Sequence, residues 1–372
     1  MPATALHPAP PDFVHRTRRL RANLLVARLV TLLTAWFATP LVTRFMTRLV
    51  TRQTPRPASL RAPWLAILAP FTALAAFCAL ALPAGAAHAQ AEPLVQARTL
   101  RQVSAHVRIV PDAGVPLVPN VGLVVGERAI LVIDTGLGPR NGAQVAALAQ
   151  KLGAPPRALY LVTTHFHPEH DLGAQAFPAD TKMIRSADQQ KDIAEFGLQL
   201  ARVFAQRSAI NAQLLEGAQF RPADISFEAE HRLDLGGVTV RLIAMGANHT
   251  RGDTAVWVEG DRVLFSGDVA MRPQPAFASP CSSLTHWLAS LDRMQALQPT
   301  LIVPSHGPTG GVELIEGYRG YLTEIRDRAL AAKQAGQGAD EAARAITEAM
   351  GARYPDRGRL GGAALAGYRE LK

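Results

Sequence analysis

One short run constrains this chain more than anything else in it: Thr164-His165-Phe166-His167-Pro168-Glu169-His170-Asp171-Leu172-Gly173, directly after the apolar stretch Ala158–Thr163. Three histidines and a carboxylate fall within the six residues 165–170. Imidazoles crowd this closely at little cost only when a cation occupies their lone pairs. A histidine-rich solvated turn is the bland alternative. Pro168 lacks the amide that a helix interior needs, so the run reads as a loop whose side chains converge from a turn.

The downstream sequence argues against the bland alternative. His249, Asp268 and His306 each follow an apolar, β-branched run: one ending near Ala244, Val263–Ser266, and Leu301–Val303. Strands laid side by side bring such residues to one edge of a sheet. Asp268 alone would read as a turn residue, but the joint placement carries weight.

The remaining pattern gives the fold class. Val121–Val125 and Ala129–Ile133 are joined by Gly126-Glu127-Arg128 as a hairpin, and the second run ends in Asp134-Thr135-Gly136. Residues 142–152 show helical spacing, with Val145, Leu148 and Leu152 on one face. Ser186 caps a predicted long helix to about 215, and its stripe Ile193, Phe196, Leu200, Val203 and Phe204 reads chiefly as packing, with a wall or lid over a site as the alternative. Strands are expected at 231–235, 238–243, 255–258 and 262–266, then helices at 283–297, 312–334 and 339–350. Two rounds of strands then helices predict an α+β fold, an αβ/βα four-layer sandwich of two mainly antiparallel sheets. The expected division is a leader (1–89), a linker (90–104), a catalytic domain (105–310) and C-terminal helices on the same domain (311–372).

Composition matters for the leader. The net charge of +9 belongs to residues 1–89, where ten arginines face the single acid Asp12; residues 90–372 hold 29 basic and 29 acidic residues. A body without a cationic field argues against nucleic acid as a partner. Ala62–Ala91 has no charge, follows Arg61 and contains Ala87-His88-Ala89, the three parts of a signal peptide cleaved after Ala89. A retained membrane anchor is the alternative, and both place the body outside the cytoplasm, in the periplasm or beyond. The earlier stretch Leu24–Phe45 is broken by Arg28 and Arg44, so a true start at Met46 would leave a leader of ordinary length. Cys78 falls in the leader and Cys281 stands alone in the body, which excludes an intrachain disulfide after cleavage.

The order Asp134, His165-x-His167-x-Glu169-His170, His249, Asp268, His306 resembles the five-motif signature of the metallo-β-lactamase superfamily over about residues 105–310. The resemblance implies that His165, His167 and His249 hold a first metal, that Glu169, His170 and His306 hold a second, and that Asp268 bridges them. Asp134 is similar to the first-motif Asp that orients ligands. Two departures stand out: Glu169 replaces the usual Asp, putting the second metal in question, and Asn248 replaces a usual Gly. The implied cofactors are two Zn2+, with Fe or Mn accepted by the same ligand types. The implied chemistry is hydrolysis of a small-molecule ester, thioester, lactone or amide by a metal-bridging hydroxide, oriented by Glu169 or Asp268. Within the family the chain is most similar to zinc metallohydrolases of periplasmic quinoprotein systems. Two other classes share the pattern: a mononuclear-iron persulfide dioxygenase, and a non-catalytic metal-binding accessory of such a system. His106, His231 and His286 read as surface or satisfied histidines. Arg251, two residues after His249, reads as a solvated charge or an anion contact.

Overall fold

A computed structural model describes residues 91–153, 157–271, 277–279 and 281–371, and the expected leader lies outside them. Residues 89–372 form one compact unit. In chain order its first half comprises β1 (Arg101–Gln102), β2 (Val107–Val110), β3 (Val121–Val125), β4 (Ala129–Ile133), α1 (Gly138–Leu152), β5 (Ala158–Val162), the one-turn α2 (Pro168–Asp171), β6 (Lys182–Ser186), α3 (Ala187–Asp192), α4 (Leu198–Gln206), α5 (Ala209–Leu214) and β7 (Ile225–Phe227). The second half holds β8 (Glu230–Asp234), β9 (Thr239–Gly246), β10 (Asp253–Val258), β11 (Val263–Gly267), α6 (Leu284–Ala296), β12 (Leu301–Pro304), α7 (Glu313–Gln334), α8 (Ala339–Met350) and α9 (Arg357–Glu370).

Two sheets result, a seven-stranded one in the order β1 to β7 and a five-stranded one in the order β12-β11-β10-β9-β8. Their facing sides share a core in which Leu131, Ile133 and Val124 meet Val240, Leu242, Val256 and Phe265. The outer face of the first sheet carries Ile130 and Val132 against Val145 and Ala149 of α1. Strand β4 is therefore buried on both sides, which is why it is an unbroken apolar run. The outer face of the second sheet, with Ile243, Met245, Trp257 and Leu264, is covered by α6 to α9 through Trp287, Leu291, Tyr318, Leu322 and Leu360. Each such side chain removed from water contributes roughly 1.5–3 kcal/mol. The order of layers is helix, sheet, sheet, helix.

Two expectations need correction. The second sheet is mainly antiparallel, but in the first the ladders β4–β5, β5–β6 and β6–β7 are all parallel. Helical crossovers connect those strands, and a crossover returns the chain in the same direction. The long helix expected from 186 to 215 is also broken. Ser186 does cap it, accepting the Gln189 amide, but Ile193–Gly197 is a π-helical turn, and Ser208 restarts the chain as α5 by accepting the Asn211 amide.

Candidate metal centre

The histidine run is clamped at both ends by the turn after β4. Register pairs Ile133 with Val162, so Thr163 and Thr164 emerge beside Asp134. Asp134 adopts φ +63°, a left-handed conformation in which Asp and Asn are the most readily accommodated side chains after glycine. Its Oδ1 accepts the Thr164 amide at 2.7 Å, and its Oδ2 accepts Thr164 Oγ1 at 3.0 Å and His170 Nδ1 at 2.9 Å. Thr135 donates through its amide and hydroxyl to the His170 carbonyl, at 3.0 and 2.7 Å. Helix α1 approaches so closely that a Cβ on Gly142 would lie 1.9 Å from the Gly173 carbonyl oxygen.

Pro168 does not keep the whole run out of a helix. It occupies the first position of α2, where a missing amide costs nothing, and His167 precedes it in extended conformation. The turn points Glu169 and His170 inward together. Behind them Asp171 is fully buried and bound in bidentate fashion by Arg185, with Nε–Oδ2 at 3.0 Å and Nη2–Oδ1 at 2.6 Å. Thr163 Oγ1 also donates to Asp171, at 2.7 Å. This support was missed from sequence. Its one visible signal is an arginine in an otherwise apolar stretch, Met183-Ile184-Arg185.

The second half of the chain supplies the remaining groups from strand ends. His249 follows β9; its amide donates to Asp253 Oδ2 at 2.7 Å, and its Nδ1 meets the Phe277 carbonyl at 2.6 Å. That contact turns Nε2 toward His167 Nδ1, 3.2 Å away, and Asp268 Oδ2, 3.4 Å away. His306 follows β12 and is held through Nδ1 by the Val118 carbonyl at 2.9 Å. Asn248 is buried, its Nδ2 donating to the Met245 and Gly246 carbonyls, so it braces the turn before His249.

All seven expected ligand residues meet in one place. Ligand atoms of His165, His167 and His249 lie within 4.8 Å of one another, as do those of Glu169, His170 and His306, and those of His165, His170 and Asp268. The longer arm of Glu169 reaches its group, and Asp268 stands between the two. His165 Nε2, Glu169 Oε2, His170 Nε2 and Asp268 Oδ1 are buried with no hydrogen-bond partner among the described residues. Leaving so many polar atoms orphaned costs roughly 1–3 kcal/mol each, more for charged groups. Convergent lone pairs of this kind fit divalent cations.

The electrostatics agree. Burial, and then the neighbouring histidines, hold the His165 and His167 imidazoles well below the usual value, and burial also lowers His249. Burial raises Glu169. Burial opposes protonation of His170 too, but Asp134, Glu169 and Asp268 outweigh it and push that imidazole up to about 9. For Asp268 burial is likewise outweighed, by His249, His306, His170 and His167, which hold its carboxyl below the ordinary range. A cluster without cations thus keeps a proton at His170, and a cation would displace it.

His167 and His306 are the half-buried members and face a cleft of about 1280 Å³. Phe196, Leu200, Val203 and Phe204 line one wall, so part of the stripe expected to be packing faces this space. Arg251 lines it as well but is held by Asp192 at 3.2 Å and Glu195 at 2.6 Å, rather than solvated. Asp356 and Arg359, at the start of α9, reach the cleft from the C-terminal helices. The other histidines are engaged elsewhere: His106 Nδ1 with Asp261 at 2.7 Å, His286 Nε2 with the Met245 carbonyl at 2.6 Å, and the His231 ring 6.3 Å from Phe227.

Residues 114–306, which span the clustered groups, match the sequence profile of the metallo-beta-lactamase superfamily. The chain belongs to that superfamily. Among superfamily relatives, it is 24% identical over 231 residues to a linear primary-alkylsulfatase from Pseudomonas sp. (strain ATCC 19151), a match covering 52% of this chain and 42% of that protein. It is 24% identical over 220 residues to a metallo-beta-lactamase type 2 from Bacteroides fragilis, covering 58% and 80%. It is 27% identical over 189 residues to the acyl-coenzyme A thioesterase MBLAC2 of Gallus gallus, covering 48% and 67%. The chain thus spans less than half of the alkylsulfatase. The solved structure of the inverting sec-alkylsulfatase Pisa1 from Pseudomonas sp. superposes with a TM-score of 0.57 at 16% identity, covering 73% of this chain and 50% of that one, and so shares the superfamily fold.

Proposed function

We propose that this chain is an exported, two-metal hydrolase acting on a small-molecule ester, thioester, lactone or amide. The observation that carries the reading is the convergence of four orphaned buried atoms, His165 Nε2, Glu169 Oε2, His170 Nε2 and Asp268 Oδ1. His165, His167 and His249 would hold one zinc ion, Glu169, His170 and His306 the other, with Asp268 between them. Zinc bound there supplies a Lewis acid for the substrate and a water of lowered pKa. Asp134 fixes the proton of His170 on Nδ1 and leaves Nε2 facing the cluster. Phe277 and Val118 do the same for His249 and His306 through their carbonyls. Asp268 and Glu169 are the carboxylates placed to accept a proton from an attacking water.

The grouping of Glu169 with His170 and His306 favours two metals over a mononuclear iron oxygenase, which would leave Glu169 and His306 idle. The named activities of the relatives, on alkyl sulfates, β-lactams and acyl-coenzyme A, bracket the range of substrates to try. Export rests on the leader's sequence: N-terminal sequencing of the mature protein should begin after Ala89. The purified protein should bind close to two equivalents of zinc and hydrolyse members of a chromogenic ester, thioester, lactone and cephalosporin panel. Chelation and His167→Ala should each abolish that activity, and activity indifferent to both would end the proposal.

A further inference from the structure

The charges of the cleft identify what it accepts beyond the reacting group. Arg251 is paired with Asp192 and Glu195, and Arg359 with Asp356. Arg207, at the end of α4, lines the same cleft and has no carboxylate partner among the described residues. Its guanidinium carbon lies 3.7 Å from the centre of the Phe204 ring, and that ring lies 6.1 Å from the ring of His167. Stacking occupies the flat face of a guanidinium and leaves its edge of N–H donors pointing outward, the fork that matches an oxyanion. Arg101, on the edge strand β1, also lines the cleft, and among the described residues it has neither a carboxylate partner nor an aromatic ring to fix it.

Apolar side chains also line the cleft that Arg207 enters. Phe196 and Leu200 line the wall, and Val203 and Phe277 stand 43% and 47% exposed at the cleft. The order along the wall is His167, Phe204, Arg207, which separates the reacting end from the charged end by an apolar span.

Resting on the hydrolase reading above, we propose that the substrate is an amphiphilic anion: an acyl compound whose short apolar chain lies along Val203 and Phe204, and whose distal oxyanion is held by Arg207. Arg207 is then a specificity residue that discriminates charged from neutral chain ends.

Binding tests this without relying on turnover. Hexanoate and hexanedioate present the same head and chain and differ in the far end, so calorimetric titration of each into the zinc-loaded full chain isolates that end. Hexanedioate should bind about tenfold more tightly, the worth of one hydrogen bond to a charged group. Arg207→Gln should bring the ratio to about one, and Arg207→Lys should retain part of it. A preferred 5-phosphonopentanoate over hexanedioate, lost in Arg207→Gln, supports the inference and names a phosphate-like oxyanion. Equal affinities in the unaltered protein, binding by none of the probes, or a preference that survives Arg207→Gln would each overturn it. A protein with the Arg207-dependent preference but no hydrolytic activity would retain this subsite and lose the hydrolase reading instead.

Discussion

Replacing Asp134 by Asn tests how the support of one ligand sets the whole centre. Asn tolerates the left-handed backbone at this position as readily as Asp, so the turn after β4 should survive. The hydrogen bonds cannot. If the amide nitrogen takes the place of Oδ2, it faces His170 Nδ1 as a donor. The ring must then offer its lone pair there and carry its proton on Nε2, the buried atom aimed at the other ligands. If the amide flips, its nitrogen faces the Thr164 amide, now 2.7 Å from an oxygen, and a buried donor is left unmet at a cost of roughly 1–3 kcal/mol. Loss of the charge also removes the main force raising His170 from 6.5 to about 9, a difference worth about 3 kcal/mol. That stabilisation of the metal-free fold is complete below about pH 6.5 and disappears as pH rises through 9, so the variant should be less stable at neutral pH. Zinc titration by calorimetry should show the weaker of two binding steps reduced about 10- to 100-fold. Nitrogen-resolved NMR titration should place His170 below its ordinary value, beside His165. An unchanged second step together with an unchanged His170 titration would refute the tautomer argument.

Three further outcomes follow from the same geometry. Arg185→Met should lower stability to urea by about 3–5 kcal/mol, because it strands the Asp171 carboxylate in the interior, and adding Asp171→Leu should recover most of the loss. Gly142→Ala should cost about 1–3 kcal/mol and weaken zinc binding, since backbone lies on both sides of the clash with Gly173; a neutral effect would mean α1 does not position the run. Burial, against the pull of Arg251 and the Gly252 amide and with help from Asp188, raises the Asp192 carboxyl to about 6. The native state therefore holds that proton more tightly than the unfolded chain, and stability should fall by about 3 kcal/mol as pH rises from about 4 to 6. Urea midpoints across that window should flatten in Asp192→Asn.

The metal cluster was readable because its members are chemically rare and sit beside apolar strands. His165 to His170 are contiguous, and His249, Asp268 and His306 each follow a β-branched run. The strands with buried sides, such as Ala129–Ile133, were readable for the same reason. Strand β6 escaped because Lys182, Arg185 and Ser186 interrupt it, yet Arg185 is there for Asp171, an ion pair visible only in three dimensions. Helix α9 escaped because Gly358, Gly361 and Gly362 oppose helix formation; the burial of Leu360, Ala363 and Ala364 in the apolar cluster it shares with α6, α7 and α8 overrides that local preference. The π-turn at Ile193–Gly197 leaves no mark in an apolar stripe. It still contributes Phe196 to the wall of the cleft and Glu195 to Arg251.

The helices that roof the second sheet bear on how the protein can be divided. The superfamily profile match ends at His306, whereas the apolar cluster over β9, β10 and β11 continues through Ile315, Tyr321, Ile325, Ile346 and Leu360. A gene shortened to the similar span would leave one broad face of that sheet greasy and bare, inviting self-association before any chemistry could be assayed. The last sixty or so residues are therefore a lid on the fold itself, and any shuffling or fusion of this protein has to carry them along.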